Sequence, residues 1–413
     1  MSVASTILKA GLSKVVLTGS LELITANGEK LVFGDGTAPH VVVRLADNGA
    51  LWALLLDPDL KTGELFSDGR LIVEKGTIYD FVSLVLRHGG QIETSTIVRV
   101  IDRIRKAALR LSRSNNPLRS RRNVASHYDL GDELYALFLD PDWQYSCAYF
   151  ENAGQSLAEA QQAKMRHIAG KLCLEPDHRV LDIGCGWGGL ACYLAETAGV
   201  AEVLGVTLSE EQIGRARRIA DQRGLSGRVR FDLTDYRAVQ GSFDRIVSVG
   251  MFEHVGLRHY DEFIGTCRRL LSDDGVMLLH TIGCTDAPGL TNPWLTRYIF
   301  PGGHLPSLSD IVTVVERSGL VITDIEILRL HYADTLRAWR DAFMARRDEA
   351  AAMFDERFCR MWEYYLSMAE AAFRFDTVVI FQIQLARRND IVPLTRDYIM
   401  ADKARLKAIE TAE

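Results

Sequence analysis

The chain has 413 residues, 47% of them hydrophobic and 25% charged, enough apolar material for two or three domains with sizeable cores. No apolar run approaches the roughly 18 to 20 residues that a membrane span needs. The N-terminus MSVASTILKAGLSK lacks a long apolar region with a small-residue cleavage site behind it, so the expectation is a protein neither secreted nor membrane-spanning. Seven scattered cysteines without paired metal spacing point to reduced thiols, a cytoplasmic setting and no metal site.

The net charge of −6 is unevenly placed: nine basic residues between Arg99 and Arg122 stand against one acid, Asp102, a local +8 that leaves −14 for the rest. Such a band fits an anionic partner surface, phospholipid or nucleic acid. A solvated linker whose arginines pair with acids elsewhere is the plainer reading.

In chain order, the first 90 or so residues read as a small α+β unit. LELITANGEKLVF alternates about Asn27-Gly28, a hairpin signal. His40–Ala46 and Gly69–Gly76 read as strands, Leu51–Leu56 and Ile78–Leu86 as helices, with Ala50–Leu56 a buried one. From Ile97 to Leu111 the spacing is helical, and SRSNNPLRSRRNVAS, with Pro117, then breaks it. The domains expected are 1–113, a linker 114–125, and 126–413. From Arg179 short apolar runs (RVLDI, EVLGVTL, RVRFDL, FDRIVSVG, VMLLHTIG) alternate with helical segments at Ser209–Gly224 and Tyr260–Leu271. This is the pattern of an α/β fold with a mostly parallel sheet. Val321–Leu330 and Thr377–Arg388 supply late strands, with one long helix expected over Ala350–Phe373.

The chemistry begins at VLDIGCGWGGL, Val180–Leu190, which follows a strand and opens a helix. Such a turn lies at the carboxyl edge of a doubly wound sheet, where ligands bind. Gly184, Gly186, Gly188 and Gly189 let the backbone approach a ligand without Cβ interference. The spacing is G-x-G-x-G-G rather than the dinucleotide G-x-G-x-x-G, and the second strand ends in Gly205-Val-Thr207 without a ribose-binding acid. Thr207 and Gln212 are the polar groups available there. With Asp182 ahead of the glycines, the loop resembles that of class I S-adenosylmethionine-dependent methyltransferases.

Four more segments narrow the resemblance: SHYDLGDELYALFLDPDWQYSCAYF (Ser126–Phe150), FDRIVSVGMFEHVG (Phe243–Gly256), VMLLHTIG (Val276–Gly283) and RYIFPGGHLPS (Arg297–Ser307). With the glycine loop and GVTLSEEQ they resemble the cyclopropane-fatty-acyl-phospholipid synthase family, which includes the mycolic acid cyclopropane synthases. The likeness runs from about Ser126 to Arg388. It implies a class I, Rossmann-like methyltransferase fold with a helical cover, beside the small α+β N-terminal domain. It implies S-adenosylmethionine as methyl donor and the cis double bond of an unsaturated phospholipid acyl chain as substrate. The protein would then be cytoplasmic and peripheral at the inner membrane face, with an anionic membrane surface rather than nucleic acid as partner. Homodimers formed through the N-terminal domain, frequent in the family, are a further expectation.

Position by position, the resemblance puts Tyr145 and Ser146 against the cofactor. The loop Leu181, Asp182, Gly184, Gly186, Trp187, Gly188 and Gly189 follows, then Thr207 and Gln212, with Asp235 and Tyr236 near the adenine. It also implies a bicarbonate ion beside the reacting carbon, held by the Cys147 main chain, Glu253, His280, the Ile282 main chain and Tyr332.

That chemistry suits such a site. Attack of an alkene on a sulfonium methyl leaves a carbocation, and the new methyl must then lose a proton before the ring closes. A weakly nucleophilic base in a dry slot avoids capture by the cation. Glu253 must be protonated or share a proton with a neighbouring anion. The plainer readings make Glu253 a helix cap, His280 a packed core histidine and Tyr332 packing. Cys147 as a nucleophile lacks any neighbour that marks an activated thiolate. Some family members carry a cysteine in a YL-x-x-C pattern where this chain runs Tyr364-Tyr365-Leu366-Ser367-Met368-Ala369, so no thiol acts from there. His304 has no assigned role. Alternative functions are methyl-branching with a separate reductase, a small-molecule N-methyltransferase, and a lipid carrier with a vestigial catalytic domain.

Overall fold

The computed structural model describes residues 3–89 and 131–412. The arginine band, the helix expected at Ile97–Leu111 and the linker expected at 114–125 lie outside them. Contacts resolve the chain into two compact units: Met1–Arg113 with Leu290–Phe300 and Leu336–Val378, and Ser114–Gly289 with Pro301–Thr335 and Val379–Glu413.

In the first unit, β1 (Ser20–Ile24) and β2 (Lys30–Gly34) form the hairpin about Asn27-Gly28. β3 (His40–Leu45) joins β1 in parallel and β4 (Leu71–Lys75) joins β3 antiparallel, in the order β2-β1-β3-β4. Helix Asn48–Leu56 starts where Asp47 accepts the Ala50 N–H. It is not wholly buried as its composition suggests: Ala50, Leu51 and Leu54 face the core, while Trp52 and Leu56 are exposed. The single helix expected over Ala350–Phe373 is two, Arg347–Met353 and Glu356–Phe375. Asp355 is extended (φ −108°, ψ 170°), and its side chain accepts the Phe358 N–H, capping the second helix and breaking the first.

The second unit is built on seven strands in the order β10-β11-β9-β8-β5-β6-β7. These are β5 (Arg179–Ile183), β6 (Glu202–Thr207), β7 (Val229–Leu233), β8 (Phe243–Val249), β9 (Leu271–Cys284), β10 (Val321–Leu328) and β11 (Val378–Ala386). β7-β6-β5-β8-β9 are parallel, while β10 and β11 pair antiparallel. The order reverses at β5 and β8, the switch point where doubly wound sheets bind ligands. One face of the sheet packs on helices Leu157–Lys171, Gly189–Glu196 and Glu210–Gln222. The other packs on Tyr260–Leu270 and Leu308–Ser318. This is the class I methyltransferase arrangement. All seven cysteines are free thiols, and no helix among the described residues is long and apolar enough to cross a membrane.

Candidate active site

The carboxyl ends of four strands open on one pocket in the second unit. At the end of β5 and just beyond it come Asp182, Gly184, Cys185, Gly186 and Trp187; at the end of β6 and beyond, Thr207, Leu208 and Gln212; after β7, Thr234, Asp235 and Tyr236; after β8, Gly250, Met251 and His254. Trp143, Gln144, Tyr145 and Ser146 complete the wall. Thus Tyr145, Ser146, Asp182, Gly184, Gly186, Trp187, Thr207, Gln212, Asp235 and Tyr236 meet at one cavity. Leu181, Gly188 and Gly189 do not line it. Leu181 is buried in the core of the sheet. A Cβ at Gly188 (φ +86°) would lie 2.6 Å from Phe231, and one at Gly189 would lie 2.3 Å from the Asp142 carbonyl. These positions serve close packing behind the loop. Gly186 is the reverse case: at φ +54° it has nothing within 4 Å of a Cβ and faces the cavity.

The polar groups are fixed locally. Thr207 Oγ1 donates to Gln212 Oε1 at 2.9 Å. Asp235 caps the turn Tyr236–Ala238 and is held by Arg237 at 2.6 Å. The Trp187 indole donates to Asp132 (3.0 Å), which also pairs with Arg215 at 3.0 Å. The Arg215 guanidinium lies 3.3 Å above the Trp143 ring. Burial pushes the Asp182 carboxyl up to about 7 and the His254 imidazole down to about 4. Trp143, Gln144, Thr234, Met251 and His254 carry no signal of their own in the sequence, although the MFEHVG motif that holds Glu253 also holds Met251 and His254.

A second group lies on β8 and β9. Register pairs Val249 with His280, and Glu253 follows in the turn Phe252–His254. Glu253 does not cap a helix: its Oε1 accepts the Ile282 N–H at 2.5 Å across the strands, so the Ile282 amide is engaged by the carboxyl. Burial pushes Glu253 up to about 7 against the pull of that N–H. His280 is buried, and its Nδ1 lies 3.1 Å from the Gln382 side-chain nitrogen. Burial, and then the positive charge of Lys164, Lys171 and His167, holds it down to about 3, neutral at any ordinary pH. A Gln382 amide that donates to Nδ1 puts the ring proton on Nε2. Glu253 Oε2 and His280 Nε2 are both buried without a hydrogen-bond partner among the described residues. Buried polar atoms are nearly always paired, so both are open to a further group; Glu253 can donate to it when protonated, and His280 when Gln382 donates to Nδ1. Cys147 is buried and its Sγ donates to the Ala148 carbonyl at 3.2 Å; burial pushes its thiol well above the usual range, unlike a nucleophilic thiolate. Tyr332 is buried in the first turn of helix His331–Ala345, and His304 is buried with its N–H donating to the Glu253 carbonyl at 2.9 Å.

The chain is 40% identical over 353 residues to a cyclopropane-fatty-acyl-phospholipid synthase of Escherichia coli, spanning 86% of this chain and 89% of that one. It is 41% identical over 283 residues to a tuberculostearic acid methyltransferase of Mycobacterium tuberculosis, covering 65% of this chain and 66% of the other. Among solved structures it resembles a mycolic acid cyclopropane synthase complexed with SAH and CTAB, with a TM-score of 0.61 and 36% identity over 64% of this chain and 97% of that one. The family model described as mycolic acid cyclopropane synthetase matches residues 115–383, and the chain belongs to that family.

Proposed function

We propose that this chain is an S-adenosylmethionine-dependent cyclopropane synthase that closes a ring across the cis double bond of an unsaturated phospholipid acyl chain. The observation that carries the reading is the pairing of a methyl-donor pocket at the switch point with two buried polar atoms that have no partner among the described residues, Glu253 Oε2 in the turn after β8 and His280 Nε2 on β9. The proposed cofactor contacts are Tyr145, Ser146, Asp182, Gly184, Gly186, Trp187, Thr207, Gln212, Asp235 and Tyr236, with Leu181, Gly188 and Gly189 shaping the loop from behind.

In the reaction, the alkene carbon takes the methyl from the sulfonium, whose sulfur keeps the bonding electrons and leaves as the neutral thioether. The cation on the acyl chain closes to a ring as the new methyl loses a proton. A carboxylic acid and an imidazole N–H without acceptors fit a small oxyanion, and bicarbonate supplies a weakly nucleophilic base when bound. Glu253 and His280 would hold it, with the Cys147 main chain, the Ile282 main-chain carbonyl and Tyr332 completing the cradle, the Ile282 N–H being taken by Glu253. Glu253 binds there as a neutral acid, so no second negative charge repels the anion. His280 stays neutral and donates without competing for the departing proton.

The lipid substrate argues for a peripheral protein at the inner membrane face, drawn to anionic headgroups by the Arg99–Arg122 band, and the family resemblance for a homodimer through the N-terminal unit. A second reading is methyl-branching, in which a partner reductase delivers hydride to the cation. It is favoured by the likeness to a tuberculostearic acid methyltransferase. Mass spectrometry of phospholipid acyl chains from cells expressing the protein, grown on methyl-labelled methionine, separates the two. Gain of one labelled CH2 unit with loss of the alkene supports ring closure. Two hydrogens more would establish branching, and unlabelled lipid beside a methylated amine would replace both with an N-methyltransferase.

A further inference from the structure

Residues 144–150, QYSCAYF, run without helix or strand and are buried or half-buried; the first three of them form part of the wall of the methyl-donor pocket. A buried irregular backbone leaves its amides without ladder partners, so other groups must satisfy them. Two helices do so from separate directions. Helix Leu157–Lys171 presents Gln161 and Lys164, three residues apart on one face. Gln161 Nε2 donates to the Gln144 carbonyl at 3.1 Å and to the Ser146 carbonyl at 2.9 Å. Lys164 Nζ donates to Gln144 Oε1 and, at 3.0 Å, to Ser146 Oγ. Helix His331–Ala345 presents Thr335, whose Oγ1 accepts the Ala148 N–H at 3.0 Å and donates to the His331 carbonyl at 2.7 Å. His331 Nδ1 accepts the Phe150 N–H at 3.0 Å. Gln161, Lys164 and Thr335 are all completely buried.

We infer that Lys164 and Thr335 are positioning residues of the reaction, clamping the 144–150 segment so that Ser146 meets the methyl donor and the Cys147 main chain faces the reacting carbon. The inference rests on the cofactor and oxyanion reading proposed above. A buried ammonium carries a large desolvation cost, and an apolar side chain would fill the space more stably. What the ammonium adds is direction: it fixes the Ser146 hydroxyl and the Gln144 amide, both on the pocket wall. Its charge is set against Asp140 and Asp182, whose carboxyls burial pushes up to about 6 and about 7. Thr335 ties the same segment to the helix turn that carries Tyr332, so two of the proposed oxyanion contacts move as one body.

The test uses the full-length protein and reads kcat, KM for the methyl donor, SAH affinity by calorimetry and thermal melting for Thr335→Val, Thr335→Ser, Lys164→Met, Ser146→Ala and the double variant of the last two. Displacement of a reacting group by about 1 Å costs on the order of a hundredfold. Thr335→Val is therefore expected to lower kcat by about tenfold to a hundredfold with SAH affinity little changed, and Thr335→Ser to restore most of it. Lys164→Met and Ser146→Ala should each raise KM for the donor, and the double variant should be no worse than the poorer single one, because the lysine acts through the serine. Full kcat per folded molecule in Thr335→Val, or additive losses in the double variant, would overturn the clamp. Unchanged donor KM in Ser146→Ala would instead remove the cofactor role of Ser146 and with it the Lys164 half. The Thr335 pair still decides the rest if Lys164→Met does not fold.

Discussion

Glu253 keeps its proton to about pH 7 because burial removes the water that would solvate a carboxylate, and the Ile282 N–H, the Glu253 backbone and the Thr281 side chain replace it only in part. The folded state therefore holds a proton that the unfolded chain, whose glutamate has the ordinary value of 4.5, releases. Stability from this group is present below that value and is lost as pH rises through about 7. Glu253→Gln removes the ionisation, so its melting temperature should gain on the parent between pH 5 and pH 8. Turnover should fall by about tenfold to a hundredfold, the cost of displacing a reacting group by about 1 Å, while SAH affinity holds. A constant melting difference across that range, or loss of SAH binding, would show that Glu253 serves the fold or the donor pocket instead. His280→Ala should likewise lower turnover and spare SAH binding. Gly186 belongs to the other site. At φ +54° with open cavity before it, a valine both strains the turn and occupies the donor's space. Gly186→Val should weaken SAH binding at least about tenfold, roughly the 1–2 kcal/mol of left-handed strain alone, without a matching loss of secondary structure by circular dichroism.

At the scale of elements, strands were the legible part of this chain and several helices were not. Each parallel strand is a short apolar burst ended by glycine or a polar residue, so β5 to β9 stand out. Helix Leu157–Lys171 does not, because it is buried on nearly every side and carries Lys164, Arg166, His167 and Lys171 inward. Glu326 pairs with His167 at 2.7 Å and Glu410 with Arg166 at 2.9 Å, which no local periodicity foretells. The readable signals were caps: Ser156 with Glu159, and Ser307 with Asp310, each form a reciprocal capping box. The same holds for the site. The glycine loop is legible because its function is conformational, whereas Ala148 and Thr335 meet across 187 residues. Since helix Leu157–Lys171 holds the 144–150 segment, its first turn has consequences beyond itself. Ser156→Ala removes one cap, typically about 1 kcal/mol, and should lower the melting temperature by about 2–4 °C. An unchanged melting curve would mean that packing, not the cap, sets where this helix begins.

For the molecule as a whole, the difficulty is electrostatic. A chain of net charge −6 is repelled on average by an anionic leaflet, and outside the Arg99–Arg122 band the balance is −14. At physiological salt, charges more than about 8 Å from the surface are largely screened, so the sign of the docking face outweighs the sign of the protein. Basic residues close to an anionic membrane contribute about 1 kcal/mol each. Changing Arg119, Arg121 and Arg122 to Glu takes the band from +8 to +2, while the glycine loop, Glu253 and His280 are untouched. The triple variant should bind anionic phospholipid vesicles at least about a hundredfold more weakly, the effect of losing some 3 kcal/mol. Its residual binding should depend less on salt, and its SAH affinity should be that of the parent. Activity on vesicles would fall with binding, whereas activity on the same lipid in neutral detergent micelles would not. If parent and variant bind vesicles equally at low salt, the band is a solvated linker and the acyl chain is delivered by another face.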